Sequence, residues 1–354
     1  MVNMSLPINP RKAAGWLSVE GLDSDVVISS RVRFARNLRE YPFYEKNDPE
    51  GKRKLRDLIF SRLPETPDGT DWIVLKLEEL GEIEKNLLAE RHIISQQLLR
   101  EKYGGVAFGH EETVGMMINE EDHIRLQAIS PGNNLEEPLE RANRLERELD
   151  ATHGFAFHER WGYLTACPTN LGTGFRASVL LHLPGLVLDN KINRVLNAIS
   201  NLGLTVRGFY GEGSESRGFY FQLSNQVTLG RSTDEFLSSL KRVVQQIIVH
   251  ERKARTAVIR SKNLDLEDKI GRAYGILRHA RKIDSSEAIE LLSMCRLGAD
   301  RDLIPETDVK KLDSLLQLLQ PAHLQHSIGE KLSGEDRQAY RAKIVETEFS
   351  TAPS

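Results

Sequence analysis

The sequence predicts an α+β fold, in which an antiparallel sheet flanked by helices is followed by a helical C-terminal domain. Three observations carry that prediction. Up to about residue 255, short β-prone runs alternate with longer stretches of helical periodicity. Two of those runs, at 114–118 and 124–129, are separated only by Asn119-Glu120-Glu121-Asp122-His123, a hairpin spacing that favours antiparallel pairing over a helical crossover. Beyond residue 255 the strand-like runs stop and the pattern is helical.

Taken in order, residues 1–22 are an N-terminal extension, 23–255 the mixed domain and 256–354 the helical domain. Val26-Val27-Ile28-Ser29 opens the first strand, and Val179-Leu180-Leu181-His182-Leu183 and Gly218-Phe219-Tyr220-Phe221-Gln222-Leu223 give later ones. In the last third, Ala273, Ile276 and Leu277, then Ala288, Leu291 and Leu292, recur at helical spacing. Asp284-Ser285-Ser286-Glu287 and Ser333-Gly334-Glu335-Asp336 read as helix starts, with a capping oxygen followed by early acidic residues.

Composition narrows the class. The 354 residues are long enough for a large core and two domains. With 48 basic and 51 acidic residues the net charge is −3, so no global basic field points to nucleic acid. No apolar run approaches the roughly 18 residues of a membrane helix, and MVNMSLPINPRKAAGW lacks a signal-peptide core, so a cytoplasmic protein with no membrane partner is expected. Cys167 and Cys295 are too few for a disulfide framework or a zinc site, and no protein-borne metal site is expected.

A P-loop is absent, and Gly208-Phe209-Tyr210-Gly211-Glu212-Gly213 does not have the spacing of the dinucleotide fingerprint. What recurs is arginine at strand ends and beside turns: Arg31 and Arg33 in SSRVR, Arg125 in NEEDHIR, Arg176 in GTGFRAS, Arg207 in VRGFYGEG. Taken singly, each is an ordinary surface salt-bridge arginine. Together, several converging forks neutralise a triphosphate without a P-loop.

The ordered segments SSRVRFARN, NEEDHIR, CPTNLGTGFRAS and VRGFYGEGSES resemble the guanidino (phosphagen) kinase family over roughly residues 23–255. The resemblance implies a glutamine-synthetase/guanido-kinase-like catalytic fold and phosphoryl transfer between Mg2+-bound ATP and a guanidinium nitrogen. It assigns the nucleotide to Ser29, Ser30, Arg31, Arg33, Arg125, Arg176, Ala177, Ser178, Val179, Leu180, Arg207, Gly208 and Gly211. His92, in a helical-looking segment, matches a family histidine near the nucleotide and is otherwise a structural histidine. An arginine guanidinium is protonated and its lone pairs are delocalised, so it needs carboxylates to orient it and to accept a proton. Glu121 and Glu212 fall at the family's catalytic positions, while Glu120 and Asp122 read as solvated turn residues or helpers in placing metal and water. Cys167 would present a thiolate to the substrate cation, orienting it electrostatically, whereas Cys295 reads as a buried inert thiol.

Only a short stretch precedes SSRVR, where the small-molecule enzymes carry a helical domain that closes over the substrate, and a helical segment follows instead. That arrangement resembles the bacterial protein arginine kinases, which phosphorylate arginine side chains and tag proteins for Clp-dependent degradation in stress responses. The family's C-terminal R-D-x-x-R-A signature, which binds phosphoarginine and couples it to activity, is matched by Arg337, Arg341 and Ala342, with Gln338 replacing the aspartate. Implied partners are proteins with accessible arginines, an activator protein, the Clp ATPase–protease system and a second copy of the chain; nucleic acid is not among them. A kinase of free arginine and a non-catalytic phosphoarginine-binding adaptor are the competing readings.

Overall fold

The computed structural model describes residues 6–43, 48–67, 69, 71–209, 217–261, 263–304 and 307–350, with the side chains of residues 18 and 263 set aside. Its strands are β1 (Val27–Arg36), β2 (Ile73–Lys76), β3 (Gly105–Phe108), β4 (Val114–Ile118), β5 (Ile124–Pro131), β6 (Phe157–His158), β7 (Gly162–Tyr163), β8 (Phe175–His182), β9 (Leu204–Gly208) and β10 (Tyr220–Asn225). The helices of the first part are α1 (Gly15–Ser18), α2 (Pro49–Phe60), α3 (Glu82–Glu90), α4 (Gln96–Leu99), α5 (Glu136–His153), α6 (Pro184–Leu188), α7 (Ile192–Ser200) and α8 (Thr233–Ser261). Then come α9 (Asn263–His279), α10 (Ser285–Ala299), α11 (Val309–Leu318), α12 (Pro321–Ile328) and α13 (Gly334–Ser350).

Eight strands make one sheet in the order β2-β3-β4-β5-β1-β8-β10-β9, and the pairs are antiparallel, while β6 and β7 form a small separate hairpin. The hairpin expected between 114–118 and 124–129 is β4–β5, with Ile118 opposite Ile124. Gly218 and Phe219 have positive φ, so β10 begins only at Tyr220, later than the sequence run suggested. Both expected helix starts are present: Asp284 accepts from the backbone N–H of Glu287, and Ser333 Oγ accepts from that of Asp336.

Each sheet face buries a different partner. Val32, Phe34 and Val179 point into a core completed by α5 and α8. Helix α5 supplies Ala142, Leu145 and Leu149, a stripe that its 3.6-residue period puts on one side. Burying each such leucine contributes about 2 kcal/mol. On the opposite face Ile28, Ile129, Leu180 and Tyr220 join a second core with Trp16, Leu277, Leu292 and Val345. The C-terminal helices and the N-terminal extension therefore cover the part of this face that is apolar. The change of sequence texture near 255 falls inside α8, a continuous helix of 29 residues. Cys295 is fully buried in the second core, and burial pushes its thiol up to about 12.

Candidate active site

Strand register decides which side chains meet, because residues directly opposite in a ladder share a face. Arg31 and Arg33 are two apart on β1. Across β8, Arg33 faces Arg176 and Arg31 faces Ser178, while on β5 Arg125 lies opposite Ala35. Beyond β8, Gln222 of β10 faces Leu180 on one side and Arg207 of β9 on the other. All five arginines thus lie on one sheet face, with Ser29, Ser178 and Leu180 among them.

The same alternation separates residues that are contiguous in sequence. Ala177 and Val179 turn their side chains into the core on the opposite face. Ser30 does likewise, its hydroxyl donating to Gly132 O (2.7 Å) and accepting from Asn134 N (3.2 Å). Of the nucleotide residues assigned within β1 and β8, these three cannot present side chains to a ligand on the arginine face.

The guanidinium groups repel one another. Burial, then Arg125 and Arg176, pushes Arg31 down to about 10; burial and the neighbouring Arg31, Arg125 and Arg176 hold Arg33 well below its ordinary value; burial with Arg207 and Arg125 lowers Arg176. Among the described residues, the Nε groups of Arg31, Arg33 and Arg176 are buried without a hydrogen-bond partner. Orphaned donors on mutually repelling cations fit a polyanion, and among the described residues none of these three guanidinium groups forms a salt bridge. Arg125 differs, because its guanidinium pairs with the buried carboxylate of Glu120.

His92 is in a turn after α3, with φ of +59°, rather than in a helix. Its carbonyl accepts from Gln127 Nε2 (2.8 Å), and its ring lies between Phe209 (centroids 5.0 Å apart) and Trp16 (5.8 Å). Burial, with Arg31 and His323 nearby, pushes its imidazole down to about 3, so the ring is neutral at physiological pH. Gly208 continues from β9 to Phe209 at the edge of this slot.

The loop between β4 and β5 carries the expected catalytic carboxylate. Glu120 and Asp122 are both 2% exposed, which corrects their reading as solvated turn residues. Glu120 accepts from Arg125, from Ser95 Oγ and from the backbone N–H of Glu121. Asp122 Oδ1 accepts from Asn37 Nδ2 and Ala166 N (both 2.7 Å), and its Oδ2 from Asn170 Nδ2 (3.3 Å). Between these two anchored neighbours, Glu121 is half-buried. Asp122 thereby ties the glutamate loop to the loop of Cys167.

Cys167 is half-buried, with Sγ 3.0 Å from Thr169 Oγ1. Its loop is pinned at the far end by Thr228, whose hydroxyl lies 2.9 Å from Thr169 O and 2.7 Å from Leu171 O. Gly172 has φ of +103°, and a Cβ there would come 2.7 Å from Thr228 O, so only glycine permits this closure. Glu212 and Gly211 lie outside the described residues.

On α13, Arg337 and Arg341 stand one turn apart, but their environments differ. Arg337 is half-buried and donates to Leu332 O (2.8 Å). Arg341 is 2% exposed and donates to Leu319 O (2.9 Å), Ile283 O (2.8 Å) and Ser285 Oγ (2.8 Å). Burial, with Arg337 nearby, pushes it down to about 10. Gln338 accepts from Ile283 N through its backbone carbonyl, and Ala342 is buried beside Val345.

Comparison with known proteins places this arrangement. A profile described as ATP:guanido phosphotransferase, C-terminal catalytic domain, matches residues 55–254, and one described as Protein-arginine kinase McsB C-terminal domain matches residues 263–354. The protein-arginine kinase of Halothermothrix orenii is 43% identical over 337 residues, 95% of this chain and 96% of its own. That of Bacillus mycoides is 43% identical over 333 residues, 93% of this chain and 94% of its own. The chain belongs to the protein-arginine kinase family. Among solved structures, a lombricine kinase superposes with a TM-score of 0.59 at 26% identity, covering 70% of this chain and 71% of its own.

A protein-arginine kinase is an ATP-using phosphotransferase, and the arginine face of this one offers the unpartnered donors that a polyphosphate requires. Sequence reasoning missed the residues that hold the site in place. Asn37 and Ser95 act through buried hydrogen bonds formed with residues far away in sequence. For Asp122 the motif was visible but its burial was not. Thr169 lies within the CPTNLGTGFRAS segment, two residues after the thiol it contacts.

Proposed function

We propose that the chain phosphorylates arginine side chains of polypeptides, with the arginine face holding the triphosphate of Mg2+-bound ATP, and that the modified proteins are thereby marked for Clp-dependent degradation in a cytoplasmic stress response. The observation that carries the chemistry is the set of buried, unpartnered guanidinium Nε groups on Arg31, Arg33 and Arg176 next to two loops that bear a carboxylate and a thiol. Arg125 and Arg207 extend the clamp on either side. The neutral His92 ring, with Trp16 and Phe209, forms an aromatic slot for the nucleobase end. Magnesium, brought in with the nucleotide, would supply charge neutralisation at the phosphates.

Glu121 and Glu212 orient the substrate guanidinium so that one terminal nitrogen is in line with the γ-phosphorus. As the N–P bond forms, the P–O bond to the leaving ADP breaks and the guanidinium proton passes to a carboxylate. Cys167 lies beside the cation and orients it without forming a covalent bond. Arg337, Gln338, Arg341 and Ala342 read phosphoarginine for allosteric control. An activator protein and a second copy of the chain complete the assembly.

Incubation with Mg2+-ATP and either a loosely folded protein or free arginine, scored as acid-labile phosphate, tests this. The protein should be modified faster, and Glu121→Gln should abolish transfer while ATP still binds. Faster turnover of free arginine would make the chain a small-guanidine kinase, and no acid-labile phosphate on either substrate would make it an adaptor.

A further inference from the structure

An open groove of about 650 Å³ separates α7 from α8. One wall is a single face of α8, where Val243, Ile247, His250, Ala254 and Ala257 recur every three or four residues. The groove therefore follows that helix from Val243 to Ala257, a length of about 21 Å. The facing wall has the same period, with Val195, Ala198 and Ile199 on α7 and Leu202 just beyond its end. Ile199 is buried, Val195 is half-buried and Leu202 is 52% exposed, so this apolar row is only partly covered. Nine of the fourteen lining residues are apolar, which makes the floor of the groove hydrophobic.

The charge around that floor has one sign. Lys191, Arg194, His250 and Lys253 are exposed along the groove, and among the described residues no carboxylate lines it. Lys191 pairs with Asp189, whereas Arg194 and Lys253 form no ion pair among the described residues. None of the lining residues is one of the five clamp arginines or belongs to the loops of Glu121 and Cys167. The groove is thus separate from the candidate active site.

We propose that this groove receives an acidic amphipathic helix of another protein. One face of that helix, with apolar side chains at i, i+4 and i+7, fills the floor between α7 and α8, and carboxylates on its flanks meet Arg194 and Lys253. About 14 residues of helix match the length of the groove. Charge selects this occupant over the alternatives. A segment rich in arginine is repelled by the basic rim. Two copies of the chain joined symmetrically across the groove would set their two basic rims against each other. The floor residues Val243, Ile247 and Ala254 are buried, and a recessed floor suits an inserted row of side chains better than the flat surface of a lipid bilayer.

The probe is a fluorescein-labelled peptide of about 14 residues with Leu along one helical face and Glu elsewhere, and with no arginine to phosphorylate. Two controls replace every Glu with Lys, or every Leu with Ser. Fluorescence anisotropy with the full chain should show the acidic amphipathic peptide binding at least about tenfold tighter than either control. Arg194→Glu combined with Lys253→Glu should weaken it at least about tenfold, and Ala257→Trp, which fills the groove, should do so independently. All three positions are exposed, so the thermal transition and ATP affinity should stay those of wild type. A wild type that binds none of the peptides or all of them alike, or variants that bind like wild type, overturns the inference. A dimer of the chain that the charge-reversed pair dissociates would make the groove a contact between copies, and preference for phosphatidylserine vesicles over the peptide would make it a lipid-facing surface; either result also overturns it. None of these outcomes bears on the kinase reading.

Discussion

Arg33 is where binding and folding pull hardest against each other. Its charge is buried among Arg31, Arg125 and Arg176, and its Nε has no partner among the described residues. Replacing a buried, poorly compensated charge with an apolar side chain is often stabilising. Arg33→Met should therefore raise the stability of the ligand-free protein by about 1 kcal/mol while weakening ATP at least about tenfold. Denaturant unfolding and nucleotide titration check both halves, and a destabilised variant would show that the arginine supports the fold. The histidines act in the other direction. Burial pushes His92 to about 3 and His123 to about 4, and burial together with Arg296 and Arg255 holds His182 well below its usual range. The unfolded chain takes up protons near pH 6.5 that these folded rings refuse. Stability is thus complete above that pH and falls on acidification toward pH 4, by up to about 1.4 kcal/mol per pH unit for each ring. His92→Gln should make the slope between pH 6.5 and 4 shallower by roughly one proton's worth, and an unchanged slope would mean that the ring titrates alike in both states.

Among the elements, the β4–β5 loop and the Cys167 loop are joined by one carboxylate. Asp122→Ala removes acceptors from Asn37, Ala166 and Asn170, so the two loops should lose their common position. We expect kcat to fall by at least about tenfold while ATP affinity, which the proposed clamp assigns to strand residues, stays within a factor of about two. Equal losses in both would show that the whole sheet had moved. Helix α13 offers a contrast within one turn. Arg341→Ala leaves two buried carbonyls and Ser285 without a donor and should cost about 2–3 kcal/mol, whereas Arg337→Ala should be nearly neutral in stability. Arg337→Ala is therefore the cleaner probe of phosphoarginine binding, read by calorimetry against a matched thermal transition.

At the scale of the whole molecule, the C-terminal helices are part of the catalytic fold. Ile28, Ile129, Leu180 and Tyr220 on the sheet are buried against them. Arg296 of α10 reaches back to the carbonyls of Ser24 and Asp25 and pairs with Asp313. Helix α12 is capped by Glu90, which accepts from Ala322 N (2.8 Å), His323 N (3.0 Å) and His323 Nδ1 (2.9 Å), two residues before His92. A chain stopped after Ser261 exposes this face and should aggregate or unfold without a cooperative transition. A soluble truncated chain with a thermal midpoint near that of the full chain would refute the dependence.

The sequence by itself determined the antiparallel α+β class, the β4–β5 hairpin, the starts of α10 and α13 and the inert burial of Cys295. Each of these follows from local periodicity, turn spacing, capping chemistry or composition. The motifs also drew attention to five arginines, and to Glu121 and Cys167, as residues worth placing. Only the tertiary structure decided which of them meet. The register of β5, β1, β8, β10 and β9 gathers the five arginines on one face and sends Ser30, Ala177 and Val179 to the other. Burial of Glu120 and Asp122, the turn at His92 and the enclosure of Arg341 all depend on partners far away in sequence. A side chain's exposure and its hydrogen-bond partners are set by what packs over it, and that is fixed only when the distant elements come together.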